Sequence, residues 1–290
     1  GEEAEGDMDT DMGVVREDES EEEQMGVLYE DAEDVISSLL LAQLGQSGRS
    51  YRREAAKGYR HLVSEIYSPP RVTKELKRGR YRKLALGFAF DLTVNDPEDG
   101  QPWDFSLRSK REKARRMLLQ QKPMLLIGSP MCTHFSTWQY LNYSKSKDQV
   151  AMSRARAGAC VHLEFVAELY HEQIDGGRYF LHEHPHHATS CKLECMTRLQ
   201  EIPSVDTVQG DQCQYGAVAA KGPDRGRPVK KPSGFMSNSI EIRHALSRVG
   251  KGRNGEWTRP QGGKHTTVQG SVTKSTAIYP RELCRAALRG

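Results

Sequence analysis

Short apolar runs and helical periods take turns along the middle of this chain, and that alternation restricts the fold more than any other feature. LALGFAFDL (84–92), KPMLLIGSP (122–130), RYFLHEHP (178–185) and SVDTVQGDQCQYG (204–216) read as strands, the second and last running into turns. LRSKREKARRMLLQQ (107–121), KDQVAMSRARAGACVHLEFVAELYHEQIDGG (147–177) and CKLECMTRLQEI (191–202) have the helical period, and Gly-Gly stops the long one. Alternation of this kind over about 150 residues predicts an α/β fold with a doubly wound, mostly parallel sheet. Ligands of such sheets bind at the carboxyl ends of the strands. Asp91, Cys132 and the segment Glu183–Pro185 are expected there.

The flanks differ in character. The first 34 residues hold 16 acidic side chains and one Arg, whereas the other 256 hold 23 acidic and 41 basic ones. The start therefore reads as a self-repelling tail and the body as a surface attractive to polyanions. The expected division is an acidic, largely disordered tail with a short helix (1–45), an α/β domain (46–217) and a basic Gly/Pro-rich segment with a closing helix (218–290). Within these, YRREAAKGYRHLVSEIYS (51–68) starts helical and ends apolar. SPPRVT (68–73) cannot lie inside a helix, because its prolines lack donors, and KELKRGRYRK (74–83) is a basic helix or turn. No run of about 18 apolar residues suggests a membrane span. Six unevenly spaced cysteines suit a reducing compartment. The first residue is Gly, which reads as a fragment of a longer product.

The chemistry centres on GSPMCTHFS (128–136). A cysteine just past a strand end, in a turn stiffened by Pro130, lies near helix amides and basic groups that favour thiolate, the nucleophilic form. The bland alternative is an inert buried thiol behind a tight turn. The motif resembles the nucleophile segment of the cytosine-5 DNA methyltransferases, Gly-x-Pro-Pro-Cys-Gln-x-Phe-Ser. Gly128, Pro130, Cys132, Phe135 and Ser136 match, while Met131 and Thr133 replace the second Pro and the Gln. FLHEHP places Glu183 where that family has Glu-Asn-Val. SEIYSPPRVTKELKRG (64–79) stands in place of its Phe-x-Gly-x-Gly loop, without the glycines. DQCQYG (211–216) is similar to its Asp-x-x-x-Tyr-Gly turn, and no Gln-x-Arg-x-Arg follows. IYPRELCRAAL (278–288) is similar to its closing helix. The likeness runs from about residue 64 to the end. Glu-x-Pro (183–185) is similar to divergent, phage-like members of the family, and the whole stretch also resembles domains attached to retroelement polyproteins.

The resemblance implies a Rossmann-like sheet and methyl transfer from S-adenosylmethionine to cytosine in DNA. Cys132 would be the nucleophile at C6, and Glu183 the acid holding the Watson–Crick edge. Tyr67, Ser68, Asp91, Asp104 and Pro130 would hold the cofactor, with Asp91 on the ribose hydroxyls and Asp104 near the adenine. Phe135 or Trp138 would fill space near an extruded base. Basic segments 107–116, 225–231 and 248–264 would hold phosphates. They contribute Arg115, Arg116, Arg227, Lys230, Lys231, Arg253 and Lys264, with His134 beside the cysteine. Such a partner implies a nuclear location. The rival reading keeps the fold and the nucleic-acid affinity but loses the cofactor, leaving a binding module or a retroelement remnant.

Three weaker signals complete the reading. HEHPHHATSCKLEC (182–195) is dense in His and Cys, but its Cys-x3-Cys spacing is not that of a zinc knuckle, and no metal is assigned. GGKHTTVQGS lacks the Gly-Lys-Ser/Thr of a phosphate loop. Asp91, Asp104 and Glu183 form a possible two-metal triad, although acids at strand ends are common in α/β folds.

Overall fold

The computed structural model describes residues 60–78, 81–135, 148–250, 265–266 and 278–290. The acidic tail lies outside the described residues, as do Ser136, Trp138, Arg253 and Lys264. Residues 60–290 form one compact unit.

Its centre is a six-stranded sheet of β1 (His61–Ile66), β2 (Leu84–Phe90), β3 (Leu125–Gly128), β4 (Tyr179–Pro185), β5 (Asp206–Asp211) and β6 (Pro232–Ser237), in the order β2-β1-β3-β4-β6-β5. The helices are α1 (Val72–Leu76), α2 (Arg108–Gln121), α3 (Gln149–Asp175), α4 (Glu194–Gln200), α5 (Ile240–Leu246) and α6 (Arg281–Ala287). The strand and helix expected at each position from 84 to 216 is present. The fold is therefore α/β and mostly parallel, with β2, β1, β3 and β4 running together.

The far side of the sheet departs from the parallel expectation. β6 is antiparallel to both β4 and β5, which it separates. A parallel neighbour requires a long crossover, usually a helix. No described residue between β5 and β6 is in an α-helix, and the chain returns in the opposite sense. PSGFMS carries Pro, Gly and only two large apolar side chains, so no strand period betrays it. The segment after 217 is thus no appendage: β6 lies inside the sheet, and α5 and α6 pack beside it.

Alternate residues on each strand feed two cores, as the pleat requires. Ile66, Leu126, Phe180 and Met236 pack with Leu118 of α2, Leu163 and Val166 of α3, and Met196 and Leu199 of α4. Val63, Leu125, Ile127, Leu181 and Phe235 pack with Leu76 of α1, Ile242 and Leu246 of α5, and Leu283 of α6. Helix ends follow local chemistry. The Asp148 carboxylate accepts from Ala151 N (2.8 Å) to start α3. Gly177, at φ 64°, lies just past its end. Ser239 caps α5 through Ile242 N.

Candidate functional site

Parallel register brings three strand ends together. Ile66 pairs with Gly128, and Gly128 with His182. The turn after β3 therefore lies between the ends of β1 and β4. β1 also sits where successive strands depart to opposite sides, β2 to one and β3 to the other, leaving a crevice at that edge.

The crevice holds a cavity of about 150 Å³. Tyr67 from the end of β1, Asp91 and Leu92 from the end of β2, Trp103–Phe105, Ser129 and Met131 from the Cys132 turn, and His162 of α3 line it. Three of the five residues expected at a cofactor meet here: Tyr67, Asp91 and Asp104. Ser68 instead turns inward, donating to Glu65 Oε2 (2.9 Å), and Pro130 is buried without lining the cavity.

Glu65, an acid inside an apolar strand, builds the loop that lacks glycines. Its Oε1 accepts from Arg71 N (2.9 Å), Thr73 N (2.8 Å) and Thr73 Oγ1 (2.7 Å), tying β1 to the start of α1. Tyr67 follows at φ 55°, a left-handed conformation usually left to glycine. Its ring lies 4.8 Å from that of Phe105, and its hydroxyl 3.0 Å from His162 Nδ1. Burial raises the Tyr67 pKa, so the phenol stays protonated. Burial also lowers the His162 pKa, against the opposing pull of Asp104. The bonds Asp104 receives from Ser106 hold its carboxyl below the usual range. The cavity is thus lined by Asp91, by Asp104 with its carboxyl held below the usual range, and by His162 with its imidazole pKa lowered.

On the other side of Ser129 lies a buried polar cluster around Glu183. Its Oε1 accepts from Ser233 Oγ (2.7 Å) and Gln212 Nε2 (3.5 Å), and Lys231 Nζ stands 3.6 Å away. Its Oε2 accepts from the Tyr279 hydroxyl (3.1 Å). Burial alone would raise the Glu183 pKa; Lys231, Ser233, His184 and Tyr279 together outweigh it and keep the carboxylate ionised. Cys132 is half-buried, and burial followed by the Glu183 charge pushes its thiol up, while Lys231 pulls it down. Burial lowers His184 to about 4, and its Nδ1 bonds Ser190.

No family model, no curated protein and no solved structure matches this chain. The site must be argued from its own geometry. Cys132, in the turn after β3, and Glu183, on β4, are brought within electrostatic reach of one another. Lys231, expected on a phosphate, belongs to the Glu183 cluster. Lys230 lies 4.0 Å from buried Asp211, Arg227 pairs with Asp224, and Arg115 pairs with Glu168, leaving Arg116 exposed. His134 is half-buried. Basic helix α2 is largely engaged in structure: Lys110 and Lys113 both bind buried Asp96 at 2.7 Å and approach the Trp103 ring.

Sequence reasoning missed Glu65, His162, Gln212, Ser233 and Tyr279. Glu65 carried a signal, because a charge in a buried run needs partners. A His at a mid-helix position carried none. Among the described residues no three His, Cys, Asp or Glu side chains could hold a metal ion, and no helix is long and apolar enough to cross a membrane.

Proposed function

We propose that residues 60–290 form a Rossmann-like, doubly wound domain of the cytosine-5 methyltransferase type, acting on cytosine in DNA. The observation that carries this reading is the shared turn: Ser129 and Met131 wall the cavity, and Cys132 next to them faces the charge of Glu183. A nucleophile, a carboxylate and a small-molecule cavity thus converge on one strand end.

The cavity residues suit S-adenosylmethionine. Asp91, at the end of β2, can accept from two vicinal hydroxyls. Asp104 can accept from an exocyclic amine, and the pair of carboxylates favours a cation. Bound, that cofactor would supply an electrophilic methyl group. The chain's own part is addition of the Cys132 thiolate to C6 of the pyrimidine, which moves the C5–C6 electron pair to C5. Glu183 would accept from the exocyclic amine and, on taking up a proton from solvent as the base enters, share that proton with the ring nitrogen as charge builds. Lys231 lowers the cost of forming the thiolate beside that carboxylate. Loss of the C5 proton to solvent and departure of the Cys132 sulfur then restore the ring.

A binding module without cofactor is the second reading, and Tyr67 favours it. A bulky side chain stands where close backbone approach would be needed, and the cavity is smaller than the ~300–1,000 Å³ usual for ligand pockets.

A DNA oligonucleotide carrying 5-fluorocytosine separates the two. Fluorine leaves no C5 proton to remove, so the Cys132–C6 bond persists once the methyl group has moved. The expected result is a covalent adduct with the full chain that requires S-adenosylmethionine and disappears in Cys132→Ala. Binding of the oligonucleotide without any adduct would overturn the enzyme reading in favour of the module.

A further inference from the structure

Tyr279 lies 96 residues from Glu183 in sequence, yet its hydroxyl reaches both the carboxylate and Ser129. The direction of this chain is fixed. Glu183 Oε2 is an acceptor, so the Tyr279 O–H donates to it, at 3.1 Å. The Tyr279 oxygen must then accept the Ser129 hydroxyl proton. Ser129 Oγ consequently keeps its acceptor lone pairs, and Ser129 is one of the residues that line the cavity.

We infer that Tyr279 is a positioning residue that locks Glu183 Oε2 and links the carboxylate, through Ser129, to whatever fills the cavity. Its meaning for catalysis rests on the reading above; the linkage itself rests on the hydrogen bonds. Chains of this kind polarise one another in a low-dielectric interior. A ligand donor on Ser129 would strengthen the donation to Tyr279 and so to Glu183. The Tyr279 pKa is raised by burial and by Glu183, so this phenol remains a donor throughout the accessible pH range. Tyr279 precedes α6, which is held to α1 by Arg281 on Glu75 (3.0 Å). Docking of the last helix therefore delivers the hydroxyl.

Every charged or titratable group facing Glu183 bears on the test. Lys231 and Ser233 approach from β6 and its entry, Gln212 from the turn after β5, Cys132 from the β3 turn, and His184 from β4 itself. Arg71 lies over the Tyr279 ring, 5.1 Å from its centroid. Of these, only Tyr279 and Ser129 are changed.

The experiment titrates the Glu183 side-chain carboxyl by carbon-13 NMR, assigned by its loss in Glu183→Gln, in the ligand-free full chain. Tyr279→Phe keeps the ring and removes the donor. Its expected effect is a midpoint raised by about one pH unit, a tenfold gain in proton affinity. Ser129→Ala should raise it in the same direction by about a third of that, and it carries the test alone if Tyr279→Phe does not fold. A Tyr279→Phe protein that melts earlier with an unchanged midpoint would make Tyr279 structural only and overturn the inference. An unmoved Ser129→Ala would overturn the link to the cavity. Neither arm needs cofactor or DNA, so failure here is distinct from failure of the methyl-transfer reading.

Discussion

Gly128 ends β3, and adding one methyl group to it is expected to destabilise the protein by about 2–6 kcal/mol. An alanine Cβ would lie 2.0 Å from the Tyr170 hydroxyl oxygen and 3.0 Å from both Tyr170 Cζ and Val166 Cγ2. Non-bonded atoms prefer roughly 3.5 Å, so the phenol must retreat by more than an ångström. It has nowhere to go: Tyr170 is fully buried, and its ring stacks on Phe180 at 4.4 Å. Overpacking of this sort costs about 1–3 kcal/mol. Displacing the hydroxyl also breaks its bond to His182 Nδ1 (3.1 Å), leaving a buried imidazole short of a partner at a cost of about 1–3 kcal/mol. For a domain of this size that is a fall in Tm of roughly 4–24 °C by calorimetry. Removing the offending oxygen supplies the control. Tyr170→Phe alone loses the His182 bond, but combined with Gly128→Ala it relieves the closest contact. The double-mutant cycle should therefore show at least about 1 kcal/mol of favourable coupling. Gly128→Ala within about 0.5 kcal/mol of wild type, or strict additivity, would refute the packing argument.

Two further expectations use the charges. Because the Glu183 charge raises the Cys132 pKa and Lys231 lowers it, Glu183→Gln should speed Cys132 alkylation near neutral pH and Lys231→Met should slow it. Peptide mapping by mass spectrometry isolates this thiol from the other five, and equal rates in both variants would dismiss the coupling. Asp96 is buried, which would raise its carboxyl, but Lys110, Lys113 and the Glu98 N–H outweigh burial and hold it at about 2. A lowered folded-state value contributes stability above the unfolded value of 3.8 that disappears as pH falls towards 2. Wild type should therefore lose Tm across that window, and Asp96→Asn, weaker at neutral pH, should lose less there.

The parallel half of the fold was legible because its strands and helices are long enough to show their periods. Leu125–Ile127 is apolar throughout, and α3 runs 27 residues to a Gly-Gly stop. β6 was not legible. Its partners, β4 and β5, supply the order that Pro232 and Gly234 deny it locally, and its inward hydroxyls, Ser233 and Ser237, bond Glu183 and Phe180 O. The same reason hid most of the candidate site. Cys132 and Glu183 stand out as motif residues. What holds Glu183 comes from positions 50 and 96 residues further on, one in a basic Pro/Gly-rich stretch and one just before the closing helix. Charge composition misled for a related reason: it counts Lys110, Lys113 and Lys231 as surface cations, although each is directed at a carboxylate within the fold.

The loop after β1 shows how an absent glycine can mislead. A non-glycine residue in the left-handed region costs about 1–2 kcal/mol. From sequence, SEIYSPPRVT therefore looks unable to make the turn that a Gly-rich loop makes. Yet Tyr67 adopts φ 55°, because other terms offset that cost. Its ring packs on Phe105, its hydroxyl meets His162, and Glu65 fixes the following residues with four hydrogen bonds. The turn survives while the open space beside it does not. What a glycine loop leaves for backbone contact, this chain fills with a phenol that itself lines the cavity. On the proposed function, an occupant of this cavity would meet Tyr67 as a wall and find acceptors in Asp91 and Asp104.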